Sequence, residues 1–421
     1  MKLNKTVDKT IIKRLLFTVA MLIIFCIGSN IPVPGINKTV LQQIFSKNTG
    51  LFDLFDLFTG GSFQNFTVFA LGVTPYITAS IIIQLFGISF KYFENLSKEG
   101  DAGQKKLMKI TRYLAIALAL IQAIGLSFGL FKQAISDQSV KSFVLIILIL
   151  VTGSAFLIWL GDQINVYGMG NGMSFLIFAG IVARIPTDVR TFVAQVTGKS
   201  ISYTVAVIAV IAVILIIAAI VFVQKGERRL VVHYAKTNAM GAYVPARTSF
   251  IPIKVNSAGV IPIIFAISLI QLPVTISYFV PDSKFAEVIN KYLSLSESPG
   301  VWIYISLNIV LIIAFTYFYS FVVFKPDEIA KNLGNAGGMI PNVRQGTDTE
   351  NYLRMVMRRL CLPSAIFLAI VATLPTVVSA FTNINITFGG TSVLILVSVA
   401  VDLVDRIKNS KVQSKYHGFG Y

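Results

Sequence analysis

Gly72-Val-Thr-Pro-Tyr-Ile-Thr-Ala-Ser-Ile-Ile-Ile-Gln-Leu85 can be laid over Gly259-Val-Ile-Pro-Ile-Ile-Phe-Ala-Ile-Ser-Leu-Ile-Gln-Leu272, and eight of the 14 positions agree. The matches include Gly72/Gly259, Pro75/Pro262 and Gln84/Gln271. Apolar segments share Ile, Val and Leu by chance, but they rarely share a Gly, a Pro and a Gln in register. A fainter echo sets Gly172-Met-Ser-Phe-Leu-Ile177 beside Gly390-Thr-Ser-Val-Leu-Ile395, identical at Gly, Ser, Leu and Ile.

Both matched pairs sit inside long apolar runs. Of the 421 residues, 55% are hydrophobic and 13% charged, where a soluble domain carries roughly 25% charged residues. A membrane-spanning helix needs about 20 apolar residues. Ten runs qualify as spans: 15–31, 66–90, 110–131, 142–161, 172–193, 201–224, 256–280, 301–323, 360–381 and 386–404. The fifth is interrupted near Arg184 and the last is short. The expected fold is an all-α polytopic membrane protein of ten transmembrane helices. Each repeat match pairs spans five apart, and an odd offset sends the partners across the membrane in opposite directions. The chain therefore reads as two inverted five-helix halves, residues 1–200 and 201–421, with the functional path between them. The competing account is chance similarity between apolar segments.

Net charge is +17, yet the basic residues lie between the apolar runs, which argues for topology over nucleic-acid binding. Alternate inter-span segments, starting from the N-terminus, hold 27 of the 36 Lys and Arg, and the others hold nine. By the positive-inside rule both termini are cytoplasmic, as are the large loops 225–254 and 324–359. The first run has no small-residue cleavage site after it and reads as a retained helix, not a signal peptide. Cys26 and Cys361 lie far apart in apolar runs and read as small hydrophobes.

All 19 acidic residues fall in loops or at span ends. A secondary transporter with inverted repeats is the main rival, and it usually keeps an ionisable residue inside a span. An intramembrane enzyme is the second rival. His233 and His417 are the only histidines, and the chain contains no His-Glu-x-x-His zinc motif, Ser–His pairing or mid-span Asp pair. It also lacks a Gly-x-x-x-x-Gly-Lys-Ser/Thr phosphate loop. No enzymatic activity, metal or cofactor is expected.

Leu51-Phe-Asp-Leu-Phe-Asp-Leu-Phe-Thr-Gly-Gly61 is too short to span. Asp53 and Asp56 sit three apart on one helical face, and Gly60-Gly61 ends the segment. It reads either as a half-helix dipping into the protein, where such backbone is tolerated, or as an amphipathic helix lying on the outer surface. In the repeat, Val73 and Ile77, and Val260 and Ile264, are four apart and share a helical face. Leu176-Ile177 and Leu394-Ile395 join them. A branched aliphatic constriction excludes ions and water by dewetting and suits a large, variable solute; ordinary helix packing is the alternative. Thr78, Gln122 and Asn256 are polar residues inside spans, able to latch helices that separate or simply to pack them.

Several ordered stretches together resemble the SecY family of protein-conducting channels. They are Phe69–Gln84, Trp159-Leu-Gly-Asp-Gln163, Gly170-Asn-Gly-Met-Ser174, Phe178-Ala-Gly-Ile-Val182, Glu227-Arg-Arg229, Ile251-Pro-Ile-Lys-Val-Asn256, Ala258-Gly-Val-Ile-Pro262 and Phe388-Gly-Gly-Thr-Ser392. The resemblance implies an hourglass channel that passes unfolded polypeptide outward and releases apolar segments sideways into lipid. It implies a plug over about 51–64, including Leu51, Phe52, Asp53, Leu54, Phe55, Asp56, Leu57, Phe58, Gly60 and Gly61. The implied pore ring is Val73, Ile77, Met173, Ile177, Val260, Ile264, Leu394 and Ile395. Met173 departs from the family's branched aliphatic and would soften the ring. Thr78, Gln122 and Asn256 match the polar cluster of the family's lateral gate. Arg228 and Arg229 match basic residues offered to the ribosome and to the SecA motor ATPase. Arg344, in Ile340-Pro-Asn-Val-Arg-Gln-Gly346, matches an arginine needed for motor-driven export, although its surroundings depart from the usual Gly-Ile-Arg-Pro-Gly. Other implied partners are the small membrane subunits SecE and SecG, signal peptides, secretory and membrane-protein precursors and the lipid bilayer. The implied location is the bacterial cell membrane, with no direct nucleic-acid specificity.

Overall fold

In the computed structural model the described residues are 2–47, 56, 59–198, 202–234, 238–239, 242–243, 247–277, 279–280, 283–293, 300–382 and 390–417. Each of the ten apolar runs carries a helix. In order these are α1 Lys2–Gly28, α3 Thr74–Ser89, α5 Asp101–Gly125, α6 Val140–Tyr167, α7 Gly172–Thr197, α8 Tyr203–Lys225, α9 Ile261–Ser277, α11 Gly300–Phe324, α13 Thr347–Thr382 and α14 Gly390–His417. Four shorter helices connect them: α2 Lys38–Lys47, α4 Lys91–Lys98, α10 Lys284–Leu293 and α12 Pro326–Asn335. Among the described residues, seven helices are long and apolar enough to cross a bilayer unaided, and α3 with α4 makes an eighth if their 98° bend is one broken span.

Two helices start later than the apolar runs suggest, and for one shared reason. The run from 66 becomes helical only at Thr74, and the run from 256 only at Ile261. Gly72 and Gly259 hold left-handed φ values of +56° and +65°, a conformation only glycine adopts at low cost. Pro75 and Pro262 then fall in the first turn, where their missing N–H is no loss. In both copies the next two amides close onto a valine carbonyl. Tyr76 and Ile77 donate to Val73, each at 3.1 Å, and Ile263 and Ile264 donate to Val260 at 3.1 and 3.3 Å. Glycine, proline and hydrogen-bond pattern thus recur together, so the sequence repeat is also a repeat of backbone.

A small sheet adds to the all-helical expectation. Strand β1 (Glu227–Tyr234) pairs antiparallel with β4 (Arg247–Lys254), from Glu227↔Lys254 to Tyr234↔Arg247. Between them, β2 (Asn238–Ala239) pairs with β3 (Ala242–Tyr243). The other edge of β1 takes β5 (Gly338–Met339) through His233↔Met339 and Tyr234↔Gly338. Leu230, Val232 and Ile253 pack with Leu333, Leu353 and Met357 from the second large loop. The loops 225–254 and 324–359 therefore share one apolar core.

Within the helical body, α9 packs against α3, α5 and α11, while α7 packs against α1, α6 and α14. One extended apolar cluster draws on α3, α6, α7, α9, α13 and α14. A second gathers residues 33–71, the end of α5 and the start of α11. There Phe66 and Phe131 meet edge-on at 4.6 Å, and Phe63 meets Phe131 at 5.7 Å.

Candidate pore, gate and plug

The eight positions expected to form a ring lie at or near the starts of four helices. Val73 and Val260 immediately precede α3 and α9, Ile77 and Ile264 lie in the first turns of those helices, and Met173 and Ile177, and Leu394 and Ile395, lie in the first two turns of α7 and α14. All eight are buried, at 8% exposure or less, and all belong to the same apolar cluster. The fainter repeat also has a structural counterpart. Gly172 and Gly390 each begin a helix pressed against the preceding one. A side chain would strike the Gly161 carbonyl in the first case and the Val371 carbonyl in the second. Met173 lies over Gly161, whose missing side chain gives the thioether room. An unbranched Met fills that irregular space as a branched residue would not.

Helix α9 meets α3 and α5 along the predicted gate. Phe63, Ala70, Leu71, Thr74, Gln122, Leu126 and Thr275 line a small cavity there. Thr78, Gln122 and Asn256 are all buried, but no hydrogen bond joins them among the described residues. Asn256 instead donates from Nδ2 to the Gly259 carbonyl at 3.1 Å, tying together the turn ahead of α9. The Thr74 hydroxyl and both ends of the Gln271 amide have no partner among the described residues. Buried polar groups left in this state each cost about 1–3 kcal/mol. Polar atoms are thus interspersed in an otherwise apolar seam. Residues 74, 271 and 275 belong to this polar seam, and the clue available in sequence was the duplicated Gln84/Gln271.

Of the half-helix, Asp56, Thr59, Gly60 and Gly61 are described; Leu51, Phe52, Asp53, Leu54, Phe55, Leu57 and Phe58 lie outside the described residues. Asp56 is fully buried, and so is Thr59. The reading of this segment as a surface amphipathic helix does not fit those two positions. Asp56 Oδ1 accepts from the Thr59 hydroxyl at 3.2 Å and from the amides of Phe63 and Gln64 at 3.2 and 3.1 Å. Its Oδ2 meets Arg184 Nη1 at 2.9 Å. Arg184 is thus a helical residue of α7 facing the protein interior, which explains why it interrupts the fifth apolar run.

The loop arginines lie on the small sheet and beside it. Arg228 and Arg229 are exposed on β1. Arg229 pairs with Glu227 at 2.6 Å and lies 4.9 Å from the Phe250 ring centre. Arg344 is exposed in the turn between β5 and α13, and its carbonyl accepts from the Thr349 hydroxyl at 2.7 Å. Because β5 pairs with β1, the two basic loops belong to one folded unit.

Comparison with known proteins places this arrangement. The SecY family model matches residues 67–404. "Protein translocase subunit SecY" of Staphylococcus carnosus (strain TM300) is 40% identical over 426 residues, covering 98% of this chain and 97% of that protein. The protein of the same name from Mycobacterium tuberculosis (strain ATCC 25618 / H37Rv) is 40% identical over 440 residues, covering 99% and 98%. Among solved structures, "The structure of a protein conducting channel" aligns with a TM-score of 0.72 at 20% identity, covering 97% of this chain and 95% of that one. "Sec61 in the Canine ribosome-channel complex from the endoplasmic reticulum" aligns with a TM-score of 0.68 at 19% identity, covering 97% and 95%. The chain belongs to the SecY family.

Proposed function

We propose that the chain is the pore-forming subunit of a protein translocase, passing unfolded polypeptides across the membrane and releasing apolar segments through the seam between α3, α5 and α9. The observation that carries this reading is the single buried cluster uniting Val73, Ile77, Met173, Ile177, Val260, Ile264, Leu394 and Ile395. Aliphatic side chains offer no fixed geometry to a ligand, but they close around a chain of any sequence and exclude water when none is present. The ring seals, the seam opens sideways, and residues 51–64 plug the channel. The two inverted halves are residues 1–200 and 201–421, and the recurring glycine turns at 72 and 259 support that division. Both termini and the sheet bearing Arg228, Arg229 and Arg344 face the cytoplasm of a bacterial cell. There they meet the ribosome or the SecA motor, while SecE and SecG complete the complex in the bilayer. The chain conducts and does not catalyse, and energy comes from those partners.

Replacing Ile77 and Ile264 together with Ser tests this reading. In vesicles holding the reconstituted complex, the double variant is expected to leak ions about tenfold faster than the parent, equivalent to about 1.4 kcal/mol less barrier. Unchanged leak would count against the ring.

A further inference from the structure

We propose that Arg184 is the mooring post of the plug and that Asp188 is a standby partner that makes the mooring reversible. This rests on reading residues 51–64 as a plug. The plug is seated on α7 at two points one turn apart. At the first, Gly60, with φ +65°, touches backbone to backbone. A side chain there would fall 2.5 Å from Gly180 Cα. At the second, Asp56 meets Arg184 at 2.9 Å, the carboxylate fully buried and the guanidinium largely so. Gly180 and Arg184 are four apart, so the two contacts share one face of α7. That face also carries Ile177 of the ring, about 10 Å away along the helix at 1.5 Å per residue. Ring and plug are thus registered on a single rigid element.

The neighbouring groups show how such a contact can part without stranding a charge. Breaking a buried ion pair is costly because it leaves one charge uncompensated. Here each side of the contact keeps partners of its own. Asp56 carries the Thr59 hydroxyl and the Phe63 and Gln64 amides, all within its own segment. Arg184 keeps Asp188, four residues on along α7, at 3.3 Å from Nε. When an entering chain pushes the plug aside, the carboxylate leaves with its donors and the arginine stays with its second carboxylate. The same division restores the pair when the plug returns. Asp188 therefore holds Arg184 through a different nitrogen with or without Asp56, and by keeping the freed guanidinium paired it favours release.

Opposite effects on the two sides of Arg184 follow. The complex is reconstituted in planar bilayers, and idle potassium chloride conductance is recorded. In parallel, export is measured for precursors whose signal segments are graded in hydrophobicity. Asp56→Asn keeps an oxygen for the Phe63 and Gln64 amides but loses the charge. This variant and Arg184→Gln are each expected to raise idle conductance about tenfold and to admit weaker signal segments. Arg184→Lys should restore most of the seal. Asp188→Asn should act in the other direction, demanding a more hydrophobic signal segment for the same export. Deleting residues 51–58 serves as the reference for plug loss. If the deletion leaks while Asp56→Asn and Arg184→Gln stay sealed, the mooring is wrong and the plug stands. A sealed deletion overturns the plug reading and the mooring with it. Should Asp188→Asn leak as Asp56→Asn does, the cluster is ordinary packing and the standby role is overturned. If Arg184→Gln fails to assemble, the near-isosteric Asp56→Asn decides the question.

Discussion

The glycine turns at 72–77 and 259–264 share a backbone but not surroundings. Both glycines are left-handed, both prolines lie in the first helical turn, and both valine carbonyls take the next two amides. Around Gly259, a hypothetical side chain would meet nothing within 4 Å among the described residues. Around Gly72 it would fall 2.7 Å from Cγ2 of Thr59, in the half-helix segment. The repeat preserves what starts the helix and aims the aliphatic pair. The added element is what distinguishes the halves, and it packs against the N-terminal copy. On the proposed function, the shared part builds the path and the unshared part closes it.

Substitutions matched across the two copies sharpen that contrast. The largest effect is expected for Gly72→Ala. It pays the left-handed strain of about 1–2 kcal/mol and also forces Thr59 away, so thermal stability should fall and ion leak should rise. Gly259→Ala should pay the strain alone, losing a similar 1–2 kcal/mol without added leak. Equal leak from both would break the contrast. Pro75→Ala and Pro262→Ala should be the mildest pair, each costing about 0.4–1 kcal/mol through the unfolded chain. Thermal unfolding of the purified protein in detergent measures all four.

Much of this architecture was legible in the apolar pattern. Ten runs became ten helices because a segment in lipid must satisfy its backbone internally, although among the described residues only seven, or eight with the bent pair, are long and apolar enough to cross unaided. The repeat was legible because Gly, Pro and Gln are rare inside apolar segments. Helix starts were misplaced at 66 and 256 because apolar residues continue through the turns, and hydropathy is blind to a positive φ at Gly72 or Gly259. The sheet was missed because its β1–β4 hairpin sits in a basic loop whose charge pattern speaks only for topology, and its third strand, paired through His233↔Met339, comes from beyond two further spans. Arg184 registered only as a blemish in the fifth span. Its meaning depends on Asp56, 128 residues earlier in the chain, and no local window holds both. The helical spacing of Asp56 with Asp53 is visible in sequence, but its burial and its pair with Arg184 are not.

Beneath all of this lies the claim that aliphatic residues from both inverted copies surround one and the same passing chain. Photo-crosslinking probes placed singly at Ile77 and Ile264, with a secretory chain stalled in transit, test it most directly. Both probes are expected to capture the stalled chain, and at the same short stretch of its sequence. Capture of lipid or of neighbouring helices by both probes, with the stalled chain untouched, would contradict it.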